Sequence, residues 1–382
     1  MIATAGSEPA RPFPQALPAT KCILRPSQLT QMEMNSAVSN YYFYWKDKYL
    51  KPSTKGPGDC KVDFDGTGTT VSEAIGYGMI ITVTMAGADP NAKALFDGLN
   101  RFRKRYPSSI NPALMSWQIP PGEEAVKDDC ATDGDLDMGL ALLMAHEQWA
   151  DASYLKEAQK LISNLASSLV RPDGSLRLGD WDTDPAVPNR TRPSDFMPTH
   201  FRVFREATGD AIWEKVESRC YAILDELQTL CAPATGLVPD FAVEKNGNWL
   251  AVKQKVLESK NDGDFCYNSC RVPWRIGWAA ASLDDPRWRK ILERMMSWVT
   301  AQTKSPKQFR PGYHLDGSGF EDDYQSACFI SPTGVAAMAT GHQQWLDQTF
   351  KYAISSRDGY FEDSVNLLSL LAMSGNAWLP HK

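Results

Sequence analysis

The segment Tyr154-Leu155-Lys156-Glu157-Ala158-Gln159-Lys160-Leu161-Ile162-Ser163-Asn164-Leu165-Ala166-Ser167-Ser168-Leu169 sets Leu155, Ala158, Ile162, Leu165 and Leu169 at steps of three and four residues. That spacing marks one buried helix face. Comparable patterns recur over 27–48, 73–87, 91–105, 134–150, 194–208, 211–229, 270–283, 286–303, 332–341, 343–354 and 361–374, giving about twelve predicted helices in six pairs. Between several of them lie long stretches rich in Gly, Pro, Asp and aromatic residues: 49–72, 106–133, 170–193, 230–269 and 304–331. Irregular segments of that length in a compact domain usually carry function. No Pro/Gly/Ser linker or abrupt change of composition divides the chain, so one domain over 1–382 is expected, with 1–20 as an extended N-terminal arm. A closed ring of six helical hairpins fits, although periodicity alone also allows a bundle or an open solenoid.

Composition narrows the function. An apolar content of 43% in 382 residues is enough for a large core and excludes a disordered polymer. Lys and Arg total 40 against 46 for Asp and Glu, and a net charge of -6 lacks the basic footprint of a nucleic-acid binder. The long apolar stretch 136–144 is broken by Asp137 and Gly139, well short of the roughly 20 residues that span a bilayer. The opening MIATAGSEPARPFPQALP has neither the basic start nor the apolar core of a secretory signal, which suggests a protein that is not secreted or a mature chain with an added Met. Eight scattered cysteines define no disulfide framework; Cys266 and Cys270 lack a second Cys pair or a nearby His to complete a zinc site. No metal or cofactor is expected.

Four strings carry chemistry. In Val71-Ser72-Glu73-Ala74-Ile75-Gly76-Tyr77-Gly78-Met79, Ser72 can cap a helix whose first turn holds Glu73. An acid there is favourable by itself, by about 0.3–1 kcal/mol. The two glycines each cost about 1 kcal/mol against Ala, so close approach of backbone or ligand must explain them. Ala131-Thr132-Asp133-Gly134-Asp135-Leu136-Asp137-Met138 sends three acids into a helix that is otherwise apolar nearly all round, hence central. Its D-x-D-x-D resembles the start of a calcium loop, but the expected glycine and the closing Glu are missing. Buried acids need partners, which arginines or substrate hydroxyls would supply. The run 256–275 concentrates acids, Tyr267, Asn268, Trp274, Arg271 and Arg275, and 178–197 brings together Asp180, Trp181, Arg192 and Asp195. Aromatics beside acids hold sugars, whose faces are apolar and whose edges are hydroxyls. Tyr77, Trp117, Asp135, Asp180, Trp181, Arg192, Asp195, Tyr267, Asn268, Arg271 and Trp274 are the candidate substrate contacts.

The strings around Glu73, Asp133 and Arg271 resemble those of glycoside hydrolase family 8, over about Pro12 to Trp378, with Gly139 where an Ala is usual. The resemblance implies an all-α (α/α)6 barrel and hydrolysis with inversion, Glu73 as proton donor and Asp133 holding the distorted sugar. The base position of the cellulase-like branch is Asn268 here, and an amide cannot accept that proton. The chitosanase-like branch instead takes its base from a Glu ten residues earlier, which is Glu258. Strings similar to that branch at LGDWD, TRPSDFM, YNSCRVPWRI and Tyr360-Phe361-Glu362-Asp363-Ser364 argue against a decayed site. An inverting pair needs its carboxyls about 6.5–9.5 Å apart to admit a water. The resemblance therefore implies a monomeric endo-acting enzyme, working outside the cell on a β-1,4-linked polysaccharide. Chitosan is the expected first substrate and β-glucan a secondary or competing one. Asp264, Glu321, Asp322 and Asp323 would suit cationic glucosamine. A noncatalytic carbohydrate-binding homologue is the alternative; an α-toroid lyase or terpene cyclase shares only the helix pairing and would need a DDxxD metal motif that is absent.

Overall fold

Burial separates the helices of the computed structural model, which describes residues 8–124, 128–320 and 323–380, into two kinds. The twelve helices among these residues are α1 (Gln31–Tyr49), α2 (Ser72–Thr84), α3 (Ala92–Arg105), α4 (Thr132–Trp149), α5 (Ala152–Leu169), α6 (Pro198–Thr208), α7 (Ile212–Leu230), α8 (Val272–Ser282), α9 (Pro286–Gln302), α10 (Ala327–Thr340), α11 (Gln343–Ala353) and α12 (Tyr360–Met373). Apolar and small residues surround α2, α4, α10 and α12 on nearly every side, and these helices are buried almost throughout. By contrast α5 buries a single stripe, Tyr154, Ala158, Leu161, Ile162, Leu165 and Leu169, and exposes its polar face.

The even-numbered helices form an inner ring. Each packs on the next, α2 on α4, α4 on α6, α6 on α8, α8 on α10 and α10 on α12, and α12 returns to α2. The odd-numbered helices pack outside, α3 on α2, α5 on α4, α7 on α6, α9 on α8, α11 on α10 and α1 on α12. Closure through α12 and α2 makes this an (α/α)6 barrel and not the open solenoid that periodicity also allowed. One continuous core runs from Phe13 to Trp378. The described part of the N-terminal arm crosses one end of the ring, where the Ala10 amide donates to the carbonyl of Gln148 in the last turn of α4 and the Phe13 and Leu17 amides donate to those of Ala86 and Gly375 just past α2 and α12.

Connections leaving the inner helices are short, whereas those entering them, apart from 354–359 ahead of α12, are the long stretches of the sequence, so the loops gather at the N-terminal ends of the inner helices. Two-stranded pairings brace them: 50–52 with 60–62, and 70–71 with 118–119; a three-stranded sheet joins 190–191, 242–245 and 248–251. Three helix starts differ from the sequence reading by four residues or more, and the first is α1, which begins at Gln31 behind a Thr30 cap instead of at 27. Pro193–Asp195 is a separate 3-10 turn ahead of α6. Helix α10 begins at Ala327 and runs through Pro332, because its first turn is buried in the ring and is fixed by packing instead of by the proline. All eight cysteines are free thiols, and among the described residues no helix is long and apolar enough to cross a membrane.

The glycines of α2 and α4 set how closely the two central helices cross. A Cβ on Gly76 would lie 2.8 Å from the Gly134 carbonyl oxygen, and one on Gly134 would lie 2.5 Å from the Ser72 carbonyl carbon and 2.7 Å from the Glu73 nitrogen. Backbone approach is therefore what these residues serve, and it brings the first turns bearing Glu73 and Asp133 together. Gly139 is filled by a neighbour, with the Phe204 ring 2.9 Å from where a Cβ would stand. Gly134→Ala is expected to cost about 1–3 kcal/mol or more, because backbone cannot yield as a flexible side chain does. Urea denaturation checks this, and an unchanged midpoint would show that the crossing can open without penalty.

Candidate active site

Six inner helices aim their N-termini at the loop-bearing end, a place where partial positive charge favours anions. Glu73 lies in the first turn of α2, Asp133 in that of α4, and Tyr360 opens α12. Ser194 and Asp195 stand in the turn before α6, and Arg271 immediately precedes α8. Ser72 does not cap α2 as its position suggested: Val71 is the N-cap, and the Ser72 amide donates to the Trp117 carbonyl at 2.8 Å. The strand pairing of 70–71 with 118–119 thus replaces a side-chain cap.

Arg271 joins these elements. Its Nη1 donates to Glu73 Oε2 at 2.6 Å, Asp133 Oδ2 at 2.8 Å and the Tyr77 hydroxyl at 3.2 Å; Nη2 donates to Ser194 Oγ at 3.0 Å and Asn268 Oδ1 at 2.8 Å. The other Glu73 oxygen accepts from the Tyr360 hydroxyl at 3.1 Å. Burial pushes the Glu73 carboxyl up to about 7 against the pull of Arg271, with the Asp133 charge adding to the rise. For Asp133 burial acts in the same direction, but Arg192, 3.1 Å from Oδ1, together with Arg271 outweighs it and holds the carboxyl well below the usual range. One carboxyl that keeps its proton near neutrality therefore adjoins one held ionised.

Glu258 reaches this cluster from an exposed loop. Its Oε2 accepts from Asn268 Nδ2 at 2.8 Å, so a run of hydrogen bonds passes from Glu73 through Arg271 and Asn268 to Glu258. The structure thus brings Glu73, Asp133, Arg192, Asn268, Arg271 and Glu258 into one connected group.

The three acids of 131–138 part company. Asp135 is fully buried and its two oxygens accept from the Met115 amide at 3.1 and 3.2 Å, which pins the 106–131 loop; Asp137 takes two bonds from Arg275 and one contact from His200 Nε2. Burial turns five expected sugar contacts into supports. Tyr77 is 0% exposed under Arg271, and Trp274 is 2% exposed with Arg275 stacked 3.9 Å from its ring. Asp135 and Asp180 hold loops, the latter accepting from the Ser108 hydroxyl and the Asn111 and Cys130 amides, and Asp195 accepts from Arg192 Nε at 2.9 Å. Trp117, Trp181 and Tyr267 do offer surface, Trp181 with Arg190 across one face and Tyr267 with its hydroxyl on that of Tyr324. Phe64, exposed and packed 5.4 Å from the Tyr360 ring, was missed because it sits in a Gly- and Thr-rich stretch with no other aromatic. Tyr360 belonged to a quoted string, but only closure of the ring shows that it meets Glu73. No group of three or more His, Cys, Asp or Glu among the described residues is arranged to hold a metal ion.

The family model for glycosyl hydrolases family 8 matches residues 25–375. A Beta-glucanase of Niallia circulans is 41% identical over 97% of this chain and 92% of its own length. An Endoglucanase of Bacillus sp. (strain KSM-330) is 39% identical over 97% and 82%. Among solved structures, the apo β-1,3-1,4-glucanase of Paenibacillus sp. X4 superposes with a TM-score of 0.94 at 40% identity, covering 97% of this chain and all of that one, 100%.

Arg271→Ala leaves two buried carboxyls without their shared cation, so a loss of about 3–5 kcal/mol is expected near neutral pH. Because the folded pKa of Asp133 is depressed, the stability from its pairing is present above the unfolded value of about 4 and fades as pH falls. Denaturant midpoints of wild type and variant are accordingly expected to converge in acid; a gap that stays constant with pH would contradict this account of Arg271.

Proposed function

The chain belongs to the glycosyl hydrolases of family 8, and from that premise we propose that it is an inverting endo-β-glucanase with Glu73 as general acid and Glu258 as general base. The observation that carries this reading is the connected run Glu73, Arg271, Asn268, Glu258, with a protonated carboxyl at one end and a carboxylate on an exposed loop at the other. Glu73, lifted to about 7 by burial, gives its proton to the leaving oxygen as the glycosidic C–O bond breaks. A water attacks the anomeric carbon from the opposite face, its oxygen forms the new bond, and its proton passes to Glu258; the configuration inverts. Asp133, ionised between Arg192 and Arg271, accepts from a hydroxyl of the sugar at the cleavage point. Asn268 supplies no base but orients Glu258 and Arg271 with its two amide ends.

A glucan is favoured over chitosan on two grounds. The relatives near 40% identity are named for β-glucan and as endoglucanases. Of the acids that would draw glucosamine, Asp264 lies 3.1 Å from His314 and Asp323 lies 2.5 Å from Arg310, while Glu321 and Asp322 fall outside the described residues. A carboxylate already facing a basic side chain attracts a cationic sugar weakly. Chitosan stays as the second reading, through the chitosanase-like strings, and a polymeric substrate, too large to enter a cell intact, is what supports a working place outside it.

Reducing ends released from barley β-glucan, carboxymethylcellulose and chitosan, with the anomer followed by NMR, test the assignment. Glucan cleavage giving the α-anomer first is the expected result; cleavage of chitosan alone would overturn the substrate, and β-anomer first would overturn the mechanism. Glu73→Gln and Glu258→Ala are each expected to lower kcat roughly 10²–10⁴-fold with folding retained. A general acid works only while protonated, so kcat/KM is expected to fall as pH rises through about 7.

A further inference from the structure

Residues 252–264, which carry Glu258, form no helix or strand: the sheet ends at Ala251, and the next helical turn starts at Ser269. Glu258 itself is exposed, and a loop of this kind would wander if nothing replaced the missing ladder. The replacement is a single carboxylate. Asp262 Oδ2 accepts from the amides of Val256 at 2.7 Å, Leu257 at 2.9 Å and Glu258 at 3.3 Å, and Oδ1 accepts from the Ser259 amide at 2.8 Å. Asp262 is 1% exposed, and no salt bridge reaches it among the described residues, so these amides are the hydrogen-bond partners of its two oxygens. Its own backbone is fixed, with the Phe241 amide donating to the Asp262 carbonyl at 2.8 Å. Gly263 then passes so close to Val252 that a Cβ would lie 1.9 Å from the Val252 carbonyl oxygen.

We infer that Asp262 is the positioning residue for the base: by gathering the four amides 256–259 it fixes the backbone of Glu258, while Asn268 fixes the side chain. This rests on the reading of Glu258 as base. Charge-assisted bonds from several amides to one carboxylate are short and directional, which suits a group that must be held to a fraction of an ångström. Asp262→Asn keeps the size but turns one acceptor into a donor facing amides, so the loop should lose its register without disturbing Glu73, Asp133 or Arg271.

The experiment compares wild type, Asp262→Asn and Glu258→Ala on barley β-glucan, each with and without sodium azide. Azide attacks the anomeric carbon in place of water and needs no base: its C–N bond forms as the glycosidic C–O bond breaks, and Glu73 still protonates the leaving oxygen. In Asp262→Asn, kcat is expected to fall roughly 100-fold with KM little changed, and azide to restore turnover with release of α-glycosyl azide, as in Glu258→Ala. Wild-type kcat in Asp262→Asn, or a loss that azide does not relieve in a folded variant, overturns the inference. Should the variant fail to fold, amide hydrogen exchange of the wild type decides: protection at 256–259 supports the network, and exchange at the rate of unstructured peptide overturns it. Full activity in Glu258→Ala would instead remove the reading of the base, an outcome separate from any result at Asp262.

Discussion

Arg271 keeps its charge where almost no water reaches, and several parts of the fold meet around that charge. A guanidinium and two carboxyl groups in such a place would be costly if any of them lacked partners. Here α2 supplies Glu73 and Tyr77, α4 supplies Asp133, the turn before α6 supplies Ser194, and the turn before α8 supplies both Arg271 and Asn268. These segments are remote in sequence and meet only when the ring closes, so the electrostatics of the site and the closure of the barrel are one requirement. The glycines at the α2–α4 crossing serve the same end, because a wider crossing would draw Glu73 and Asp133 apart.

Sharing a cation does not make the two carboxyls alike. Both are buried and both touch Arg271, yet Glu73 is lifted and Asp133 depressed. The difference is the second guanidinium, Arg192, which contacts Asp133, whereas the second partner of Glu73 is a neutral phenol, Tyr360. Two acids side by side with protonation pushed apart by their surroundings is the pattern that separates donor from carboxylate.

Much of this was legible in the sequence, and the parts that were not share a physical cause. Apolar patterning located the helices, as a stripe at three- and four-residue steps in outer ones such as α5 and as a nearly unbroken run of apolar and small residues in α2, α4, α10 and α12. Periodicity alone could not give ring closure, because a helix stripe does not name the surface it meets; the resemblance to family 8 implied the (α/α)6 barrel, and the contact of α12 with α2 bears it out. The VSE and ATDGD strings singled out Glu73 and Asp133, which the structure brings together with Asn268 around Arg271. Composition could not tell an acid facing a cleft from one facing a loop amide, so Asp135 and Asp180 passed for sugar ligands. Trp274 was misjudged likewise: an aromatic beside two arginines suggests a platform, but here one arginine, Arg275, covers the ring itself.

The loop end of the barrel has little regular structure, and buried aspartates supply much of the backbone pairing that strands would otherwise provide. Asp180 accepts from the amides of Asn111 and Cys130, Asp240 from those of Cys266, Asn268 and Ser269, and Asp262 from four more. Among the fully buried aspartates a guanidinium in contact favours ionisation, but how it is bonded counts as well: Asp137, bonded through both oxygens to Arg275, is lowered, while Asp240, held by amides and the Ser269 hydroxyl, rises to about 6. Burial raises every one, but Asp133 has two guanidiniums and falls well below the usual range, Asp195 has Arg192 alone and rises to about 6, and Asp135, bonded to an amide with Arg103 only at a distance, rises to about 7. An amide satisfies a lone pair but brings no full charge, so it can hold a loop without forcing a carboxyl to ionise. The same side chain thus serves as a fixed charge at the cluster and as a backbone substitute one turn away, and its neighbours decide which.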